Sequence, residues 1–173
     1  MTQQEALRLV FPGCRIERET VYLTPAQMAE VAELAGEDLP DPVVRPYRAL
    51  CDGKSGGTAY FDTHRVRTLS ETLMVAVDAQ GRLKRVEVLV FREPPDYLPR
   101  DAWYRLFDGK ELSRDLRLKR DIPVVAGATL TSRATEAAVR RALAIDRILR
   151  AEESASREPR RQEPRAGSDE AVE

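Results

Sequence analysis

The sequence predicts an α+β domain, a mostly antiparallel twisted sheet flanked by helices, with a long helix closing the C-terminal end. Two pairs of β-rich runs are joined by short turns containing Gly and Asp, the pattern of hairpins and so of antiparallel pairing. Apolar residues at helical spacing occur only before and after these runs, so helices and strands are segregated along the chain. With 173 residues, 42% of them hydrophobic, the chain can fill one ordinary core. One domain is expected over residues 1–151, followed by a charged tail over 152–173 that has no apolar periodicity and is expected to be disordered.

Thr2 followed by Glu5 reads as a capping box, and Leu7, Val10 and Phe11 then mark a short helix stopped by Pro12-Gly13. Arg15 to Leu23 is a plausible exposed strand. Thr24, Pro25 and Gln27 supply a cap, a first-turn proline and a capping-box partner for a second helix reaching Gly36, with Met28, Val31, Ala32 and Leu34 or Ala35 facing inward. Tyr47 to Cys51 and Thr58 to Thr63 form one hairpin around a turn over Asp52 to Gly57. Leu73 to Val77 and Leu83 to Phe91 form another around Asp78-Ala79-Gln80-Gly81-Arg82. The second run of that pair alternates only partly, which predicts a strand covered on both faces at the centre of the sheet. A short amphipathic helix should carry Trp103, Leu106 and Phe107 and end at Asp108-Gly109. From Thr131 a long helix runs through Ala134, Ala138, Leu143, Ile148 and Leu149 in strong helix formers.

The 28 basic and 29 acidic side chains nearly cancel, so no broad positive field points to nucleic acid or anionic lipid. The longest apolar runs fall well short of the ~20 residues that span a bilayer, and Met1 to Glu5 lacks the features of a signal peptide. Cys14 and Cys51 lack metal-type spacing; one disulfide or two unreactive thiols both fit. No Gly-rich dinucleotide fingerprint, Walker loop or nucleophile elbow is present.

The run Val125-Ala126-Gly127-Ala128-Thr129-Leu130-Thr131-Ser132 carries the strongest chemical signal. Gly127 and Ala128 allow close backbone approach, hydroxyls follow at Thr129, Thr131 and Ser132, and a helix begins at once. First-turn amides without intrahelical partners, at the positive end of the helix dipole, suit a phosphate. The same run also fits a plain helix start with Thr131 or Ser132 as N-cap.

Ala126-Gly127-Ala128-Thr129-Leu130-Thr131-Ser132 resembles the Ser-Gly-Ala-Thr-x-Thr/Ser motif of the FMN-binding domain found in the C and G subunits of sodium-pumping quinone reductase and Rnf complexes. Glu93-Pro94-Pro95-Asp96-Tyr97-Leu98 is similar to that family's Glu-Thr-Pro-Gly-Leu-Gly loop, and Trp103, Phe107, Gly109 and Lys110 fit its Trp…Phe-x-Gly-Lys pattern. The resemblance spans roughly Thr58 to Arg150. It implies one FMN, held at or esterified to Thr129. Gly127, Ala128, Ala126, Leu130, Thr131 and Ser132 would shape the phosphate pocket, and Glu93, Pro94, Pro95, Tyr97 and Leu98 would lie along the ring. Ala126 stands where the family has Ser, Pro94 where it has Thr, and Pro123 where it has Asp; each departure keeps noncovalent FMN open beside the ester.

His64, the only histidine, reads as a surface or loop-packing residue, with a flavin contact as the minor alternative. Arg65 and Arg67 could balance a phosphate but read first as solvated. Tyr97 is a better ring-packing candidate than Trp103, which reads as core. The resemblance implies an electron carrier more than a stand-alone enzyme, working with redox partner proteins in a membrane electron-transfer complex on the extracytoplasmic, periplasmic side. A cofactor-free binding module on the same fold and a small flavin reductase are the rival readings.

Overall fold

The computed structural model describes residues 1–157. Helix α1 (Gln3–Val10) starts at the expected capping box, with both reciprocal bonds between Thr2 and Glu5 formed. Strands β1 (Arg15–Arg18) and β2 (Val21–Tyr22) follow, so the single exposed strand expected over Arg15 to Leu23 is divided. Helix α2 (Pro25–Ala35) has the Thr24/Gln27 capping box, Pro25 in its first turn and a left-handed Gly36 at its end. Val31 and Ala35 are its buried residues; Met28 and Leu34 pack against the core while partly exposed.

Strands β3 (Val43–Val44), β4 (Tyr47–Cys51), β5 (Lys54–Arg65), β6 (Ser70–Val77) and β7 (Leu83–Phe91) come next. A five-stranded antiparallel sheet has the order β1-β4-β5-β6-β7, and β2 pairs with β3 separately. The β4–β5 turn is tighter than expected, closing at Asp52-Gly53, because residues 54–57 join the ladder and a register irregularity at Ala49/Leu50 absorbs the mismatch. Two short 3₁₀ turns (Pro95–Tyr97 and Arg105–Phe107) flank α3 (Asp101–Tyr104). Helix α4 (Thr129–Arg157) begins two residues before the expected start and continues past the boundary expected at 152. The rest of the tail, from 158 on, lies outside the described residues.

Period-two alternation along β6 builds two cores from one strand. Leu73, Val75 and Val77 point to the face covered by α2 and α4, while Met74 and Ala76 point to the face covered by α1. The expectation that Leu83 to Phe91 is the central strand is corrected: β7 is an edge strand, and β5 is the middle of the order. Its apolar character on both sides has another cause. Helix α1 packs on β7, as do α3 and its following 3₁₀ turn, yet among the described residues no strand lies beyond it. The outer backbone of Leu83 is instead bonded to Gly109 and Lys110, and the Arg105 guanidinium caps the Val86 carbonyl.

Two ties hold distant segments together. Cys14 and Cys51 form a disulfide (Cα–Cα 4.4 Å) between the α1–β1 connection and the end of β4, which resolves the alternatives left by the sequence. Gly56 is required beside it, since a Cβ there would run into Cys51 Sγ. Arg140, only 5% exposed, donates to the Leu34 and Ala35 carbonyls at the end of α2 (2.9 and 3.0 Å) and to those of Ser113 and Leu116 (2.7 and 3.1 Å).

Candidate functional site

At the start of α4 a cleft of about 190 Å³ is walled by three segments: Val66 and Arg67 from the β5–β6 hairpin, Glu93 and Tyr97 from the loop after β7, and Gly127 to Thr131. Gly127 has a φ of +80°, a conformation that side-chain-bearing residues rarely adopt, and it turns the chain from the preceding loop into the helix. Ala128 occupies the position before the helix and offers no capping side chain. The first backward bond runs from the Ser132 N–H to the Ala128 carbonyl (2.9 Å), so the amides of Thr129, Leu130 and Thr131 precede the helical ladder. Thr129 itself is exposed.

The other predicted hydroxyls are committed to structure. Thr131 is 1% exposed and donates through Oγ1 to the Tyr97 carbonyl (2.7 Å), tying the helix start to the β7 loop. Ser132 is fully buried and donates to Ala128 O (2.9 Å). Neither is the N-cap. Ala126, Pro94, Pro95, Leu98 and Ser132 do not line the cleft, whereas Gly127, Ala128, Thr129, Leu130, Thr131, Glu93 and Tyr97 do. Trp103 is core: its ring packs edge-on against Tyr104 and Phe107, and its N–H donates to Pro123 O.

Glu93 faces inward more than along the cleft. Its Oε1 accepts from the N–H groups of Arg67, Thr68 and Leu69 (3.2, 2.6 and 2.7 Å), clamping the tip of the β5–β6 hairpin onto the loop. The Leu69 and Thr68 amides, aided by Arg67, hold its carboxyl below the usual range. Arg67, which sequence alone did not favour, lines the cleft with its guanidinium over the Tyr97 ring (5.9 Å). Val66 was not anticipated at all. Both sit in the turn between β5 and β6, which Glu93 holds against the loop after β7, a long-range contact for which the local sequence gives no signal.

His64 is not a surface residue. Its side chain is 14% exposed and lies between two carboxylates, with Nδ1 2.8 Å from Asp62 Oδ1 and Nε2 3.0 Å from Glu71 Oε2. Burial lowers its pKa, but hydrogen bonds to Asp62 and Glu71 outweigh this and raise it to about 9. Burial likewise pushes Asp62 up, while the bonds from His64 and Arg141 prevail and hold it low. A group with its folded pKa above the unfolded ~6.5 stabilises fully below that value and loses the contribution as pH rises through about 9. Discounting for solvent screening, about 2 kcal/mol of stability should disappear between those limits. Urea midpoints recorded across the interval, beside the NMR titration of the single imidazole, should fall together; a flat profile would refute the assignment.

A larger cleft of about 440 Å³ lies between the β3–β4 segment, the sheet and α4, with Arg18, Tyr60, Asp62 and Arg141 among its walls, and it contains none of the motif residues. Among the described residues no group of side chains could hold a metal ion, and no helix is long and apolar enough to cross a membrane.

Residues 70–144 match the FMN-binding domain family. Two curated relatives, each the G subunit of an ion-translocating oxidoreductase complex from a strain of Pseudomonas aeruginosa, are 37% identical over 103 residues, covering 50% of this chain and 48% of the relative. The chain therefore spans about half the length of the relatives it matches. No solved structure matches it.

Proposed function

We propose, from the match of residues 70–144 to the FMN-binding domain family, that the protein is an electron-transfer protein whose FMN phosphate is held at Thr129. The observation that carries this reading is the exposed Thr129 hydroxyl at the first residue of α4, beside amides that precede the helical ladder and directly after the turn made by Gly127.

The residues present fit the cofactor. Backbone N–H groups of Thr129, Leu130 and Thr131 supply donors for a phosphate, and the Arg67 guanidinium adds a matching positive charge. The Tyr97 ring and the exposed side chain of Leu130 offer apolar surface beside those donors for a flat ring system. Bound FMN supplies one- and two-electron chemistry; the protein supplies position, charge and access.

Membership of a membrane-bound electron-transfer complex on the extracytoplasmic side extends this reading. The two relatives are named as the G subunit of an ion-translocating oxidoreductase complex. The Cys14–Cys51 disulfide supports an oxidising compartment.

Intact mass tests the site. Protein made with a flavin transferase should gain the mass of FMN less water, and Thr129→Ala should abolish the gain completely. Unmodified protein that carries FMN released on denaturation would keep the carrier and exclude the ester. A colourless protein that refuses added FMN would overturn the electron-transfer reading.

A further inference from the structure

The flavin reading leaves unexplained a chain of buried charge beneath the site. Asp62 lines the larger cleft and meets solvent there. His64 bridges it to Glu71, which is 0% exposed. His64 and Glu71 are directly opposed across β5 and β6, one pair before the tip of the hairpin that Glu93 clamps and whose residues Val66 and Arg67 wall the smaller cleft. The chain thus runs from the open cleft to the strand pair next to the turn that walls the smaller cleft.

Its inner end has unused hydrogen-bonding capacity. Glu71 Oε1, the Tyr104 hydroxyl and Thr135 Oγ1 are all buried without a partner among the described residues. They belong together: burial first, then the Glu71 charge, raises the Tyr104 phenol, and Thr135 bears on the same hydroxyl. Thr135 lies one turn beyond Thr131 on α4. A carboxylate bonded through only one oxygen is an incomplete arrangement in a buried position. Either charge state of Glu71 can complete it: an ionised Oε1 accepts from Tyr104, which accepts from Thr135, and a protonated one donates to Tyr104, which donates to Thr135, so the same three groups can serve Glu71 before and after it takes a proton.

We propose that Asp62, His64 and Glu71 form a proton relay, carrying one proton from the larger cleft to Glu71 when an electron enters the flavin site. This rests on the electron-transfer reading above. His64 passes its Nε2 proton to Glu71 Oε2, the ring turns over, and the bared nitrogen takes a proton from water on the Asp62 side. One electron comes from the donor protein and one proton from solvent, Glu71 becomes the acid, and His64 is imidazolium again. The buried site takes up no net charge. Arg141, which binds Asp62 and Glu37, balances the outer carboxylate from α4; Tyr104 faces the inner one from α3, with Asp101 near it.

Redox-difference infrared spectroscopy of the FMN-loaded protein reads the step directly. Reduction of the wild type should produce a carboxylic-acid C=O band that shifts in heavy water and with isotope-labelled glutamate. The band should be absent in Glu71→Gln, which keeps size and hydrogen bonding, and lost or much slowed in His64→Gln. A wild-type protein that binds flavin yet shows no glutamic-acid band on reduction overturns the relay and leaves the electron-transfer reading standing, whatever the folding of the variants. A band that persists in Glu71→Gln overturns it equally. Colourless protein overturns both.

Discussion

Arg140→Met should destabilise the fold by about 3–5 kcal/mol, since each buried carbonyl left without a donor costs about 1–3 kcal/mol and part of that is recovered by relaxation. The guanidinium donates to four carbonyls from two separate segments, and methionine leaves them without those donors while filling similar space. Two of the four end α2, where the aligned peptide dipoles favour a cation. Arg140→Lys should recover only part of the loss, since an ammonium has three donors and no planar fork to span both segments. Equilibrium urea unfolding of the three proteins measures this. A methionine variant within about 1 kcal/mol of wild type would mean that the carbonyls find other partners.

Removing the disulfide, by Cys14→Ser with Cys51→Ser, should cost a comparable amount. The bridge closes a loop with a sequence separation of 37, for which the chain-entropy relation gives about 4 kcal/mol. Engineered removals often fall below the relation, so about 2–4 kcal/mol is the working expectation. The loss should fall on unfolding free energy while the flavin spectrum stays unchanged, because the bridge lies on the α1 side of the sheet and the cleft lies at the start of α4. A changed spectrum would show a coupling between the two that the packing does not display.

The sequence disclosed what is local. Thr2 with Glu5, and Thr24 with Pro25 and Gln27, sit within one helical turn of each other, so both helix starts were legible. The run from Gly127 to Thr131 was legible as one wall of a site for the same reason. Helix α4 started early because the turn at Gly127 releases the chain at Ala128, and the hydroxyls expected to cap it serve other bonds. What depended on register stayed hidden. His64 and Glu71 are seven residues apart and meet only because β5 and β6 pair as they do. Glu93 lines the cleft, yet its main partners are backbone amides, which any residues there would provide. Arg140 sits beside Arg141 in the sequence and nothing distinguishes them; in the fold one is buried among carbonyls and the other joins Asp62 and Glu37. Strand β7 was misplaced because apolar character on two faces reports cover, and helices cover a strand as well as other strands do.

The position of β7 at the sheet margin bears on how the protein behaves when crowded. An open strand margin is a template for a second molecule to add its own strand, the first step towards aggregates. Here the first half of that margin is already occupied by Gly109, Lys110 and Arg105, and charged Lys84, Arg85 and Glu87 stud the strand. Only the stretch around Val90, 41% exposed, remains for another chain to engage. The opposite margin, β1, is only four residues long and carries charged Arg15, Glu17 and Arg18, so both margins of the sheet are short or charged where they are open, which disfavours strand addition by a second copy.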